Sequence, residues 1–159
     1  MFKAQKAHVI NMLANHPAIQ PFIVPQSFDP ESESLEFDHN FLPENAWRFH
    51  YYHNGENDDD ENASIAMLFQ WSSPDVWEMH MLAKPDARGG EALVFAKQTV
   101  ADMFTKQNAK ELWGQTPIWN ERARAMHRKV GGIPRGFGHH PMFGEVELFA
   151  TSRTEWDAQ

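Results

Sequence analysis

Apolar residues recur at Val9, Ile10, Leu13 and Ala14, the spacing of one helical face, and the pattern stops at "NHP" because Pro17 disfavours helical geometry at His16. This predicts a first helix. From Ile19 to Phe41 no period is sustained: Pro21, Pro25, Pro30 and the acidic "DPESESLEFD" predict a long surface excursion, a lid or substrate-side flap. "AWRFHYYHN" (Ala46–Asn54) and "ASIAMLFQW" (Ala63–Trp71) then alternate as half-buried strands do. The "NGENDDDEN" between them makes a hairpin with an acidic tip. In "DVWEMHMLA" (Asp75–Ala83), Trp77, Met79 and Met81 share one face, and Glu78, His80 and Leu82 the other. Bulk on both faces predicts a central strand.

The second half of the chain changes period. Ala92, Phe95, Ala96, Thr99, Val100 and Met103 form one stripe of a helix predicted over Glu91–Gln107. A strand "KELWGQT" (Lys110–Thr116) follows, then a helix opened by Asn120 as N-cap and closed by Gly131. On that helix Ala123, Met126, His127 and Val130 fall on one face, while Glu121, Arg122, Arg124, Arg128 and Lys129 point mostly elsewhere. "IPRGFGHHP" reads as a loop before a last strand, "EVELFAT" (Glu145–Thr151). Early hairpins and a later β-α-β crossover, which forces parallel pairing, predict a mixed α/β (α+β) fold. Its central sheet has antiparallel hairpins at the N-terminal side and helices on both faces. With no internal repeat and no second composition regime, residues 1–159 are expected to form one domain.

Composition narrows the function classes. Of 159 residues, 42% are hydrophobic and 13% aromatic, enough for a real core. The net charge of −8 argues against nucleic acid as a partner, since duplex binding needs clustered Lys and Arg. The absence of cysteine excludes disulfides, zinc-thiolate sites and a cysteine nucleophile. "MFKAQKAHVINMLANHP" is neither a signal-peptide core nor a membrane span, so no membrane partner and a cytoplasmic protein are expected. Oligomeric state leaves no signature.

Several residues are candidates for chemistry, each with a plain structural alternative. In "KPDARGGEA" the glycines between a strand end and a helix start let backbone amides approach a phosphate, although most such corners are only turns. His127 is either a hydrogen-bonded core histidine or a functional one. Glu78 and His80 form a cross-strand hydrogen-bonded pair or accept a proton. Asp58, Asp60 and Asn62 match the first positions of a calcium loop, but Ala63 stands where Gly is needed and Phe69 where a bidentate acid belongs. A solvated loop is expected there. His50 and His53 lie on opposite faces of a strand, and His139 and His140 have no nearby carboxylate, so no metal site is expected.

The succession of strand, "PDARGGEA", amphipathic helix, strand, Asn and "A..MH.K.GG" from Trp77 to Gly132 resembles the GNAT family of acyl-CoA-dependent N-acetyltransferases. Pro85, Arg88 and Gly89 resemble the start of that family's pyrophosphate-binding loop. Asn120, Ala123, His127, Lys129 and Gly131 resemble its second signature. The chain departs from the pattern in placing Glu91 and Leu93 at the two small positions; a turn one residue shorter gives those roles to Gly90 and Ala92. More narrowly, "LANHPAIQPFI", "WEMH" and "ARGGEA" are similar to short acetyltransferase-like proteins of bacteriophages and prophages, some of them regarded as virion components.

The resemblance implies a GNAT-like sheet whose two parallel strands splay around the pantetheine arm of acetyl-CoA, the cosubstrate. It implies that Leu82 and Ala83 offer backbone groups to the arm and oxyanion. Arg88, Gly89, Gly90, Glu91 and Ala92 then hold the pyrophosphate, with Asn120, Ala123 and Lys129 as further cofactor contacts. His127 takes the place of a tyrosine near the departing sulfur; an imidazole of pKa about 6.5 can protonate a thiolate whose conjugate acid lies near about 8.5. Glu78 and His80 accept the amine proton. The implied activity is acetyl transfer by direct attack of a primary amine, on a small molecule or protein, in a cytoplasm. The alternative is an inactive GNAT-like virion or interaction protein.

Overall fold

A computed structural model describes residues 2–3, 7–24, 27–35, 46–52 and 63–159. In chain order the elements are β1 (Phe2–Lys3), α1 (Ala7–Ala14), β2 (Ala46–Tyr52), β3 (Ala63–Ser73), β4 (Val76–Ala83), α2 (Gly90–Thr105), β5 (Glu111–Pro117), α3 (Glu121–Lys129), β6 (Ile133–His140), β7 (Gly144–Ser152) and α4 (Arg153–Asp157). Short 3-10 turns occupy Gln20–Phe22 and Pro85–Ala87. The strands hydrogen-bond in the order β1-β2-β3-β4-β5-β7-β6. β4 and β5, joined through α2, are parallel, as the crossover requires; β1-β2, β5-β7 and β6-β7 are antiparallel. The sheet is therefore mixed.

The chain packs as two compact units, Met1–Phe69 with His80–Ala92, and Gln70–Met79 with Leu93–Gln159. β3, β4 and α2 contribute residues to both. In the first unit the α1 stripe is spent on a core: Val9, Ile10 and Leu13 pack with Ile19, Ala63 and Ala66, and Leu82 lies against them. Past α1 the chain turns back on a single side chain. Asn15 donates from Nδ2 to the Leu35 carbonyl at 2.7 Å and accepts from the Leu35 amide at 2.7 Å, tying the described part of the excursion to the helix end.

In the second unit the buried stripe of α2, with Val100, Met103 and Phe104, joins Leu112 of β5 and Val146 and Phe149 of β7 in the apolar interior. The β5-β7 ladder runs from Glu111↔Ser152 to Pro117↔Val146. Phe104 stacks on Trp156 of α4 with centroids 5.1 Å apart, and the Arg153 guanidinium donates to the Phe104 carbonyl.

Two expectations need correction here. The "IPRGFGHH" segment is an edge strand rather than a loop. Gly136, at φ +116°, supplies a bulge after Pro134, and β7 supplies the partner, so pairing succeeds without any alternation of apolar residues. Arg124 and Arg128 do not simply face solvent; both reach a buried glutamate of β7, described below. Among the described residues, no helix is long and apolar enough to cross a membrane.

Candidate functional site

The residues singled out in the sequence fall into both units, and each group has its own construction. In the first unit β4 ends at Ala83, and the Lys84 amide donates to the Ser64 carbonyl at 2.9 Å. After the turn Pro85–Ala87, Gly89 takes φ +95°, a left-handed value that a side chain resists, and α2 begins at Gly90. A Cβ on either glycine would meet no atom within 4 Å. The first turn of α2 thus starts at an open surface. Ala87 and Ala92 are buried beneath the corner, while Gly90 and Glu91 are exposed.

Arg88 is built into this corner. Its Nε donates to the Ala83 carbonyl at 3.2 Å and its Nη2 to the Ala18 carbonyl at 3.0 Å, and the guanidinium carbon lies 5.8 Å from the Phe22 ring centroid. The side chain braces the turn against the segment after α1. Leu82 packs on the apolar cluster of this unit, and His80 is exposed.

In the second unit the parallel ladder pairs Val76↔Glu111, Trp77↔Leu112 and Glu78↔Trp113 and ends there. Gln115 donates from Nε2 to Glu78 Oε1 at 3.3 Å. Asn120 caps α3, its Oδ1 accepting from the Ala123 amide at 3.2 Å. Ala123 is half-buried, and Lys129 is exposed in the last turn.

His127 projects from α3 onto Phe149 of β7, ring on ring, with centroids 4.7 Å apart and planes 5° from parallel. Below its edge lies Gly114 of β5. A Cβ there would stand 2.5 Å from His127 Cε1, so only glycine admits the imidazole in this position. The Gly132 amide donates to the His127 carbonyl at 2.8 Å, fixing the backbone behind it. A cavity of about 20 Å³, lined by Met79, Leu112, Gly114, His127, Gly132 and Phe149 among others, adjoins the ring. It has room for roughly one water.

Beside Phe149, two residues back on the same strand face, is Glu147, its side chain only 5% exposed. Oε2 accepts from Arg124 Nε at 2.6 Å and Oε1 from Arg128 Nη2 at 2.5 Å, and the Arg128 guanidinium lies 5.0 Å from the Phe149 centroid. Burial pushes the Glu147 pKa up, but the hydrogen bonds and charges of Arg124 and Arg128 outweigh it and hold the carboxyl below its ordinary value.

Sequence reasoning missed Gly114, Glu147 and Phe149. A glycine inside the strand pattern "ELWGQTP" is a signal of close approach and could have been read. Among the described residues, no group of three or more His, Asp or Glu is arranged to hold a metal ion. His140 Nδ1 accepts from the Met142 amide at 3.1 Å, which gives it a local structural role. His53 and the acidic tip with Asp58, Asp60 and Asn62 lie outside the described residues, as does the side chain of His50.

No protein-family model matches this chain, and no curated protein matches it. Solved structures do. Spermidine N-acetyltransferase from Vibrio cholerae in complex with CoA and spermine superposes with a TM-score of 0.73 at 13% identity, covering 98% of this chain and 95% of that one. The fold is GNAT-like. A mutant of the Vibrio cholerae spermidine N-acetyltransferase SpeG gives 0.65 at 16% identity over 94% and 91% of the two chains. The aminoglycoside acetyltransferase AAC(6')-Ib in complex with coenzyme A gives 0.59 at 17%, over 73% and 71%. What these enzymes share with this chain is the GNAT-like scaffold: a parallel β4-β5 pair bridged by α2, extended by antiparallel strands.

Proposed function

We propose that the chain is an N-acetyltransferase of the GNAT family that moves acetyl from acetyl-CoA to a primary amine. The observation that carries the reading is the open corner at Gly89–Gly90, at the head of the crossover helix, in a fold whose solved neighbours hold CoA. A corner with space where side chains would stand suits the approach of a pyrophosphate, and the first-turn amides of α2 suit its charge. Gly89, Gly90, Glu91 and Ala92 would hold that group, with Arg88 keeping the turn in shape. Leu82 and Ala83 would offer backbone groups to the pantetheine arm, and Asn120, Ala123 and Lys129 further contacts.

Acetyl-CoA, when bound, supplies the acetyl group as an activated thioester. An amine that arrives as an ammonium ion first gives one proton to solvent; in direct attack by the neutral amine the C–N bond forms as the C–S bond breaks, so one proton leaves the nitrogen and one reaches the sulfur. Glu78 or His80, directly or through water, takes the first. His127 donates the second, its ring oriented by the Phe149 stack and the Gly114 cut-out. The acceptor on this reading is a cationic amine: the chain carries a net charge of −8, and one solved neighbour binds spermine. On this reading the protein works in a cytoplasm, the host's if the chain is phage-encoded.

A second reading has one observation in its favour. The Arg88 guanidinium bonds to two backbone carbonyls and Glu91 brings a carboxylate to the first turn of α2, a combination that suits a scaffold which has given up the nucleotide and serves as a binding or virion protein. The test is thiol release from acetyl-CoA across spermidine, spermine, an aminoglycoside and a lysine peptide. Amine-dependent release is expected for at least one, slowed about a hundredfold by His127→Phe. Absence of release together with absence of acetyl-CoA binding leaves the second reading.

A further inference from the structure

The feature that neither motif nor fold accounts for is the buried carboxylate of Glu147. α3 has no fully buried residue of its own; Ala123, Met126 and His127 are half-buried. Two residues of β7 tie it to the sheet from its polar side. Arg124, His127 and Arg128 share one helical face at positions i, i+3 and i+4, and Glu147 and Phe149 share one strand face at i and i+2. The contacts cross-link the two sets: Glu147 to Arg124 and Arg128, Phe149 to His127 and Arg128.

Each Glu147 oxygen addresses a different turn of the helix, Oε2 the turn of Arg124 and Oε1 that of Arg128. Turning α3 by one residue, about 100°, would break both bonds and strand a desolvated charge, and sliding it by one turn would leave one carboxylate oxygen without its guanidinium. We propose that Glu147 is a positioning residue: by holding Arg124 and Arg128 together it sets the rotation of α3 and keeps the His127 imidazole flat on Phe149 above Gly114. Its effect on turnover rests on the role of His127 proposed above; its effect on the ring does not.

Glu147→Gln is the informative variant, because the amide keeps the shape but offers one acceptor and turns an NH2 group against the second guanidinium. Two readouts are taken. The Phe149 stack is expected to shift the wild-type His127 ring protons upfield; in Glu147→Gln they should move back toward the exposed-histidine position, while Arg122→Gln, on an exposed arginine of the same helix, should leave them in place. In turnover, kcat falls about tenfold with KM for acetyl-CoA within about twofold.

Ring resonances unchanged in Glu147→Gln would overturn the proposal; lost resonance shifts with an unaltered kcat would uphold the positioning of the ring and overturn instead the role of His127 in turnover. If the wild type transfers acetyl to no amine, the functional reading fails and the ring resonances alone decide for or against Glu147. Should Glu147→Gln not fold, Arg124→Gln removes one leg of the clamp; displaced ring resonances there support the proposal, and unmoved ones contradict it.

Discussion

The glycine corner and the α3–β7 platform are built by opposite means. The corner is a backbone device: a left-handed glycine, a helix start and open space, with Arg88 as its brace. The platform is a side-chain device, in which a buried carboxylate, two guanidiniums, two stacked rings and a glycine cut-out determine one another. The first leaves open space at the surface and, on the proposed reading, offers donors to a ligand. The second fixes a single imidazole and tolerates little. Binding and chemistry should therefore separate when the two are perturbed in turn.

The largest separation is expected from His127→Gln, which lowers kcat about a hundredfold while acetyl-CoA affinity, read by calorimetry, stays within about twofold. Glu147→Ala strikes the same platform through its fold. Two guanidiniums lose a buried partner, and since both remain partly exposed the cost in urea unfolding should be about 2–3 kcal/mol. The sign with pH follows from a carboxyl held below its ordinary value of 4.5: the stabilisation is fully present above that pH and is lost as pH falls through the lower folded value. The gap between wild type and Glu147→Ala should accordingly shrink on acidification and vanish in strong acid.

Gly114→Ala tests the cut-out. Its Cβ collides with His127, so about 1–3 kcal/mol of overpacking and a displaced ring are expected, with acetyl-CoA affinity again preserved. At the corner the pattern reverses. Gly89→Ala meets no atom but is held at φ +95°, which should cost about 1 kcal/mol in thermal unfolding and weaken acetyl-CoA binding, with no change in the His127 resonances. Smallest of all is Glu155→Gln, far from both in character. Arg135 foremost, then Ser152, lower the Glu155 pKa to about 2, so its small Tm loss should be full above 4.5 and fade as pH falls toward 2.

The two devices also differ in how far the sequence discloses them. The α2 stripe, the Asn120 cap and the crossover are local patterns, and the chain obeys them. Arg88 shows the limit of a motif: spacing assigns it to a phosphate loop, whereas its guanidinium bonds to the carbonyls of Ala83 and Ala18, the second of them 70 residues away along the chain. For the platform, helical spacing reveals that Arg124 and Arg128 share a face but not that their partner stands 23 and 19 residues further on. Edge strand β6 hid for a related reason, since its regularity comes from β7 and a bulge rather than from its own side chains. The C-terminal helix α4, by contrast, is written locally, in the Ser152–Glu155 capping box.

The central claim, that the glycine corner serves acetyl-CoA, is tested most directly by isothermal titration of the wild-type protein and Gly89→Ala with acetyl-CoA. Saturable one-to-one binding in the wild type, weakened in Gly89→Ala and unchanged in Arg122→Gln, is the predicted result. No heat of binding from the wild type at about millimolar acetyl-CoA, or equal affinity in Gly89→Ala, would contradict it.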